Sequence, residues 1–208
     1  MDVIRVVLAW AAFAVFHSLT VSEGYERLVR RLIGDKAFVA YHRLAFTGYS
    51  VAAFAALLLY LRTIPDHPLY HLEGVPRLFL HVIQLGAIAF LLWTPWDLME
   101  FLGFRQWERH RKGKASTDQA ERLFTGKAYG IVRHPLYLGF SVILLFHPSQ
   151  TRNSALSTAM IVLYFYMGTF LEEKRLVSKF GDAYREYQKK VPRLLPIRGF
   201  RIARVSDH

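Results

Sequence analysis

The sequence predicts an all-α integral membrane protein of about five transmembrane helices, the last two a helical hairpin, with a cytosolic amphipathic helix at the C-terminus. Three observations carry this. Apolar residues make up 53% of the 208 and gather into runs nearly free of charge. The 27 Lys and Arg and 16 Asp and Glu fall in separate blocks. Those blocks alternate between basic-poor and basic-rich along the chain. A soluble domain interleaves the two classes at helical or strand period, whereas segregation into runs is what a bilayer requires.

Five apolar segments stand out, at about residues 3–20, 44–61, 78–93, 136–147 and 154–171. A spanning helix takes about 20 residues, with a lower limit of about 17. The first, second and fifth segments meet that limit, and the third sits at its edge. The fourth is short and spans only as half of a tight hairpin with the fifth. Residues 148–153 suit the link: Pro148 ends a helix, and Ser149 and Asn153 are turn and N-cap residues. The first run lacks a basic leader and a small-residue cleavage site, which predicts a retained helix rather than a signal peptide.

Charge tests the topology independently. Successive spans alternate sides, and the segments on one side hold four Lys and Arg (Arg5, Arg62, Arg77 and Arg152) against 23 on the other. Positive charge marks the cytoplasmic face. The N-terminus is therefore expected outside an inner or cytoplasmic membrane, with the C-terminus and any polar site in the cytoplasm. The net charge of +11 follows from this asymmetry and from attraction to anionic headgroups of membrane lipids. No nucleic-acid partner is needed, because the cations are spread over three loops rather than gathered on one module. The chain has no cysteine, which excludes disulfides, iron–sulfur clusters and thiolate zinc sites.

No internal repeat divides the chain. Its polar content is massed late, so residues 1–120 read as helices with a basic loop and 121–208 as the functional core of one structural domain. Beyond the last span, Leu176, Phe180, Tyr184, Tyr187 and Val191 recur every three or four residues. They form one apolar stripe that continues the helix to Pro192. Such a stripe suits a helix lying on the membrane and equally a wall of a cytosolic site.

The densest polar region near the membrane is residues 121–139, with Tyr129, Arg133, His134 and Tyr137 where the fourth segment begins. Pro135 suits the first turn of a helix, where its missing N–H costs nothing. The unpaired N–H groups of such a turn attract an anionic group. Tyr, Arg and His also anchor helix ends as an interfacial belt, and the residues alone leave both readings open. Glu172 and Glu173 follow the fifth segment against the basic trend, either solvated or paired with Lys174, Arg175 or Arg133, or as holders of a cationic or hydroxyl-bearing ligand. His17 and Ser18 in the first segment and His81 in the third are ionisable or polar groups at membrane depth. No set of ligands converges as a metal site, and His67 and His71 read as loop residues beside Pro65 and Pro68.

At these residues the sequence is similar to a known family. AYGIVRHPLYLGF at 128–140 and LEEKRLVSKFGDAYREYQKKVPRLLP at 171–196 resemble the isoprenylcysteine carboxyl methyltransferase superfamily. The RHP-x-Y-x-G element, the Glu pair, the FG-x-x-Y-x-x-Y run and the closing VP-x-x-x-P keep the family's order over residues 121–196. Upstream, FHS at 16–18 and EFLGFRQ at 100–106 look like the bacterial branch containing methanethiol S-methyltransferase. That branch's Asn-His pair is here Asp97 and Leu98.

The resemblance implies S-adenosylmethionine as cofactor. It implies a pocket of Leu123, Phe124, Tyr129, His134, Pro135, Leu136, Tyr137 and Glu172, with Glu121 and Arg122 at weaker matching positions. Arg133 and Glu172 are the expected catalytic pair, Arg133 as a cation beside a thiolate or carboxylate nucleophile. His17, Ser18, Arg105 and Gln106 are weaker substrate candidates. Four residues before Glu172, where prenylcysteine enzymes carry an arginine, stands Gly168. The expected substrate is a small thiol or lipophilic nucleophile. Carboxyl methylation of an isoprenylcysteine-like substrate, lipid headgroup methylation and a non-catalytic accessory role are the rivals.

Overall fold

The computed structural model describes residues 1–113 and 123–196, and the expected weak pocket positions Glu121 and Arg122 lie outside them. Among the described residues, four helices are long and apolar enough to cross a membrane: α1 (Asp2–Thr20), α3 (Asp35–Leu61), α4 (Gly74–Trp93) and α8 (Arg152–Phe180). Within their apolar stretches only 6–11% of residues are buried in the chain itself. Leu92 of α4 is 80% exposed. Helices this apolar and this uncovered need lipid around them.

The described residues form two compact units. Met1–Pro65 and the described part of Trp96–Glu121 make the first. In it α1 and α3 run antiparallel, because Trp10 and Phe13 meet Phe54 while His17 meets Phe46. Residues expected as a loop form α2 (Glu23–Ile33), N-capped by Ser22, whose hydroxyl accepts from Tyr25 N at 3.3 Å. The second span also begins nine residues earlier than its apolar run, at Asp35. Hydrophobicity marks where a span crosses lipid, while the hydrogen-bonded helix continues into water as long as side chains permit.

Two short helices, α5 (Leu98–Leu102) and α6 (Phe104–Arg111), pack on α3. Gly103 joins them at φ +92°, and a Cβ there would lie 2.6 Å from Leu44 N. Only glycine permits that approach. Arg43 fixes the same corner, donating from Nε to Phe101 O at 2.9 Å.

Asp66–Pro95 and the described part of Arg122–His208 make the second unit. The fourth expected span is α7 (Pro135–Leu145), 11 residues. At 1.5 Å per residue it reaches about 16 Å, roughly half of a hydrocarbon core of about 30 Å. It packs antiparallel on α4, where Gly139 admits the neighbouring helix: a Cβ there would come within 2.6 Å of Leu91 Cγ. Gln84 of α4 ties the pair by donating to Ile143 O at 2.8 Å.

The link between α7 and α8 is more than the expected turn. Ser149–Thr151 form β2, paired antiparallel with β1 (Pro68–His71), a small sheet beside the helices. His71 is thus a strand residue. Asp66 clasps the junction, accepting from His67 N at 2.8 Å and Asn153 N at 2.9 Å. The N-cap of α8 is Thr151, in a reciprocal capping box with Ser154, rather than Asn153.

The expected continuous C-terminal helix is broken. α8 ends at Phe180, Gly181 turns the chain at φ +59°, and α9 (Asp182–Lys190) follows. The apolar stripe survives the break and packs inward. Tyr184, Tyr187 and Val191 are buried together, with Leu123, Leu176, Val177 and Phe180 against them.

Candidate active site

The second unit brings the 123–137 segment, the end of α8, α9 and residues 191–193 together. Leu123 is anchored in the tyrosine cluster, and Tyr187 donates its hydroxyl to Tyr129 O at 2.6 Å. A 3-10 turn, Lys127–Gly130, then delivers the chain to α7. His134 is the N-cap residue of α7, and Pro135 is its buried first residue. Arg133 N and His134 N donate to Pro192 O and Arg193 O at 2.9 and 3.2 Å, which lashes the entry of α7 to the C-terminal segment.

His134 is 5% exposed and stands between two carboxylates. Its Nδ1 lies 3.3 Å from Glu172 and its Nε2 lies 3.2 Å from Glu173. Tyr137 stacks on His134 at 5.6 Å between centroids and on Phe165 of α8 at 5.0 Å, and its hydroxyl bonds to Glu172. Phe124 is exposed and meets Tyr129 edge-on at 6.3 Å. Leu136 is half-buried in the first turn of α7. A Cβ on Gly168 would be 3.9 Å from the Tyr137 hydroxyl, so this glycine borders the same space. Every expected cofactor residue among the described ones therefore lies in this unit, and His134, Tyr137 and Glu172 touch one another.

The two glutamates divide the work. The Glu173 side chain is 5% exposed and is ringed by donors. Arg133 Nε reaches it at 2.8 Å, Gln188 at 2.9 Å and Arg193 Nη2 at 3.0 Å. Arg193 also stacks on Phe170, 3.9 Å from the ring centre. The Glu172 side chain is 47% exposed. It is the carboxylate that a ligand can reach.

Arg133, expected as a cation beside the nucleophile, is surrounded by acceptors of the protein itself. Its side chain is 8% exposed. Nε and Nη2 donate to Glu173, and Nη1 donates to Gln188 O and Val191 O, so four of its five N–H groups are engaged. Its charge is met by a buried carboxylate. Pairing of the glutamates with Arg133 was one reading of the sequence, whereas Gln188 and Arg193 were not singled out as further partners of Glu173. The Glu pair and the closing VP-x-x-x-P were visible, but nothing in a linear pattern says which glutamate turns inward.

Burial holds the Tyr129 phenol above its ordinary range, and the negative charge of Glu172 adds to this. Tyr184 is pushed up to about 12, first by burial and then by Glu173. These phenols stay neutral through the physiological range.

The weaker substrate candidates belong to the first unit and have local partners. His17 sits between Phe13 and Phe46, with Nδ1 3.3 Å from Ser50 Oγ. Ser18 O accepts from Val21 N at the end of α1. Arg105 pairs with Asp97 at 2.8 Å, and Gln106 donates to Glu100 at 2.9 Å.

No family model matches the sequence. Curated proteins do. Methanethiol S-methyltransferase 1 of Bradyrhizobium diazoefficiens is 29% identical over 200 residues, covering 92% of this chain and 66% of that protein. Methanethiol S-methyltransferase of Mycobacterium tuberculosis is 29% identical over 210 residues, covering 93% of this chain and 78% of that one. The chain is a homologue of the methanethiol S-methyltransferases. It spans about two thirds of the length of the first of these relatives. The wider superfamily is reached as well: Protein-S-isoprenylcysteine O-methyltransferase of Schizosaccharomyces pombe is 38% identical over 79 residues, 36% of this chain and 33% of that one. No solved structure matches.

Proposed function

We propose that this homologue of the methanethiol S-methyltransferases is an integral membrane methyltransferase that uses S-adenosylmethionine to methylate a small or membrane-partitioned nucleophile, with a thiol favoured. The observation that carries this is Glu172, a half-exposed carboxylate beside the stacked rings of His134 and Tyr137. It stands at a helix start whose first N–H groups lack intrahelical acceptors. S-adenosylmethionine presents a sulfonium, an ammonium, a carboxylate and an adenine. Glu172 suits the ammonium or a ribose hydroxyl. The N–H groups of Leu136 and Tyr137 suit the carboxylate. The faces of Tyr137 and Tyr129 suit the sulfonium or the adenine. The residues present therefore fit the cofactor.

When bound, the cofactor supplies a methyl group already activated by positive sulfur. The protein's task is then to align and to exclude water rather than to carry out strong acid–base chemistry. Arg133, Glu173 and Arg193 keep the walls in register, and neutral Tyr129 and Tyr137 bring no competing anion. A thiolate attacks without further help once formed.

Gly168 supports the thiol reading. An arginine there, as in prenylcysteine enzymes, would enter the space beside the Tyr137 hydroxyl. Carboxyl methylation is the second reading, favoured by the likeness to the S. pombe protein. For topology, the 23-to-4 distribution of Lys and Arg supports five spans, counting α7 as a short one. It supports an N-terminus outside and a cytoplasmic site and C-terminus.

The test is isothermal titration of the purified protein with S-adenosylhomocysteine, followed by mass spectrometry of products from a competition between a volatile thiol and a prenylcysteine analogue. Binding with preferential thiol methylation is expected. Preferential carboxyl methylation would select the second reading. Absence of binding would point to a non-catalytic accessory protein.

A further inference from the structure

Between α1 and α3 of the first unit lies an open groove of about 570 Å³. Arg5 and Tyr60 stand at one end of it, because the two helices are antiparallel, and Phe16 lies toward the other. Ala53 and Ala56 keep it open: larger side chains at these positions would fill it. From Arg5 to Phe16, α1 rises about 16 Å, the depth of one leaflet of a hydrocarbon core of about 30 Å.

The mouth holds a cation where the chain is otherwise poor in cations. Arg5 is one of the four basic residues on the charge-poor side. Positive-inside topology gives it no purpose. The Arg5 side chain is 54% exposed, and its ion pair with Asp2 is long, at 3.8 Å. That geometry leaves the planar fork available to a phosphate. Tyr60, which lines the same groove, carries a hydroxyl that can serve as a second donor.

We propose that the α1–α3 groove binds one acyl chain of an anionic glycerophospholipid, with the phosphate held by Arg5 and Tyr60 at its mouth. Charge complementarity, apolar lining and single-leaflet depth all select this occupant. A small thiol would leave most of the groove unfilled. The site does not rest on the methyl-transfer reading.

The full chain, exchanged in detergent with equal amounts of phosphatidylglycerol and phosphatidylcholine bearing the same acyl chains, is examined by native mass spectrometry. One retained lipid per chain is expected, phosphatidylglycerol favoured about fivefold, as one interfacial cation provides. Arg5→Gln, an exposed change that leaves the helix intact, should keep a lipid and lose the preference. Ala53→Phe, checked for helicity by circular dichroism, should lose the retained lipid. Equal retention of both lipids by the unaltered protein would overturn the proposal. So would full retention by Ala53→Phe, or a dimer that this change abolishes.

Discussion

Adjacent on α8, Glu172 and Glu173 approach the same imidazole from its two nitrogens, at 3.3 and 3.2 Å. Their surroundings give them different fates. Replacing Glu172 by Gln removes a reachable charge and no packing. S-adenosylhomocysteine binding, measured by calorimetry, should weaken by about 1.5–3 kcal/mol, as for a lost hydrogen bond to a charged group. Unchanged affinity would place the cofactor elsewhere. Glu173→Ala leaves the Arg133 charge buried and unmatched, a loss of about 3–5 kcal/mol in stability. Thermal unfolding in detergent should therefore fall sharply for this variant and little for Glu172→Gln. Gly168 belongs to the same scale. Gly168→Arg should depress thiol turnover and raise the relative rate with a prenylcysteine acid. An unaltered substrate ratio would show that position 168 does not face the substrate.

Helix pairs set where these residues stand. The α4–α7 contact depends on Gly139, whose missing side chain is occupied by Leu91. Gly139→Val should cost about 1–3 kcal/mol by overpacking, visible as a lower unfolding temperature, and Leu91→Ala in the same chain should recover part of it. At the other end of the unit, α9 is held by buried tyrosines. Tyr184 keeps its proton in the folded chain to about 12, whereas an unfolded tyrosine releases it near 10. The folded state therefore binds the proton more tightly between those values. Its contribution to stability is complete below pH ~10 and is lost as pH rises toward ~12. Unfolding followed at pH 9 and pH 11.5 should show this decline, and Tyr184→Phe should lessen it, the buried Tyr187 and half-buried Tyr129 phenols keeping the remainder.

At the scale of the whole chain, the spans and the basic blocks decide orientation together. A reporter that is active only in the cytoplasm, fused after His208, should be active. Activity of a periplasm-specific reporter at that position would reverse the topology, and with it the side from which cofactor enters.

Much of this was written in the sequence because it depends on neighbours along the chain. Apolar runs at residues 3–20, 44–61 and 78–93 give helices of 19, 27 and 20 residues, since a helix satisfies its own backbone and needs only local composition. Pro135 marked the start of α7 for the same reason. The motif residues from Tyr129 to Glu172 were legible as a set, although their contacts were not. What tertiary structure alone decided is every matter of direction and partner. It turned Glu173 inward and Glu172 outward, although the two differ by one position. It set the Arg133 charge against Glu173, and paired β1 with a strand about 80 residues away. A break at Gly181 preserved the apolar stripe and folded it onto Leu123. Each of these choices is set by distant groups competing for the same buried charge or apolar surface, and no periodicity records which of them wins.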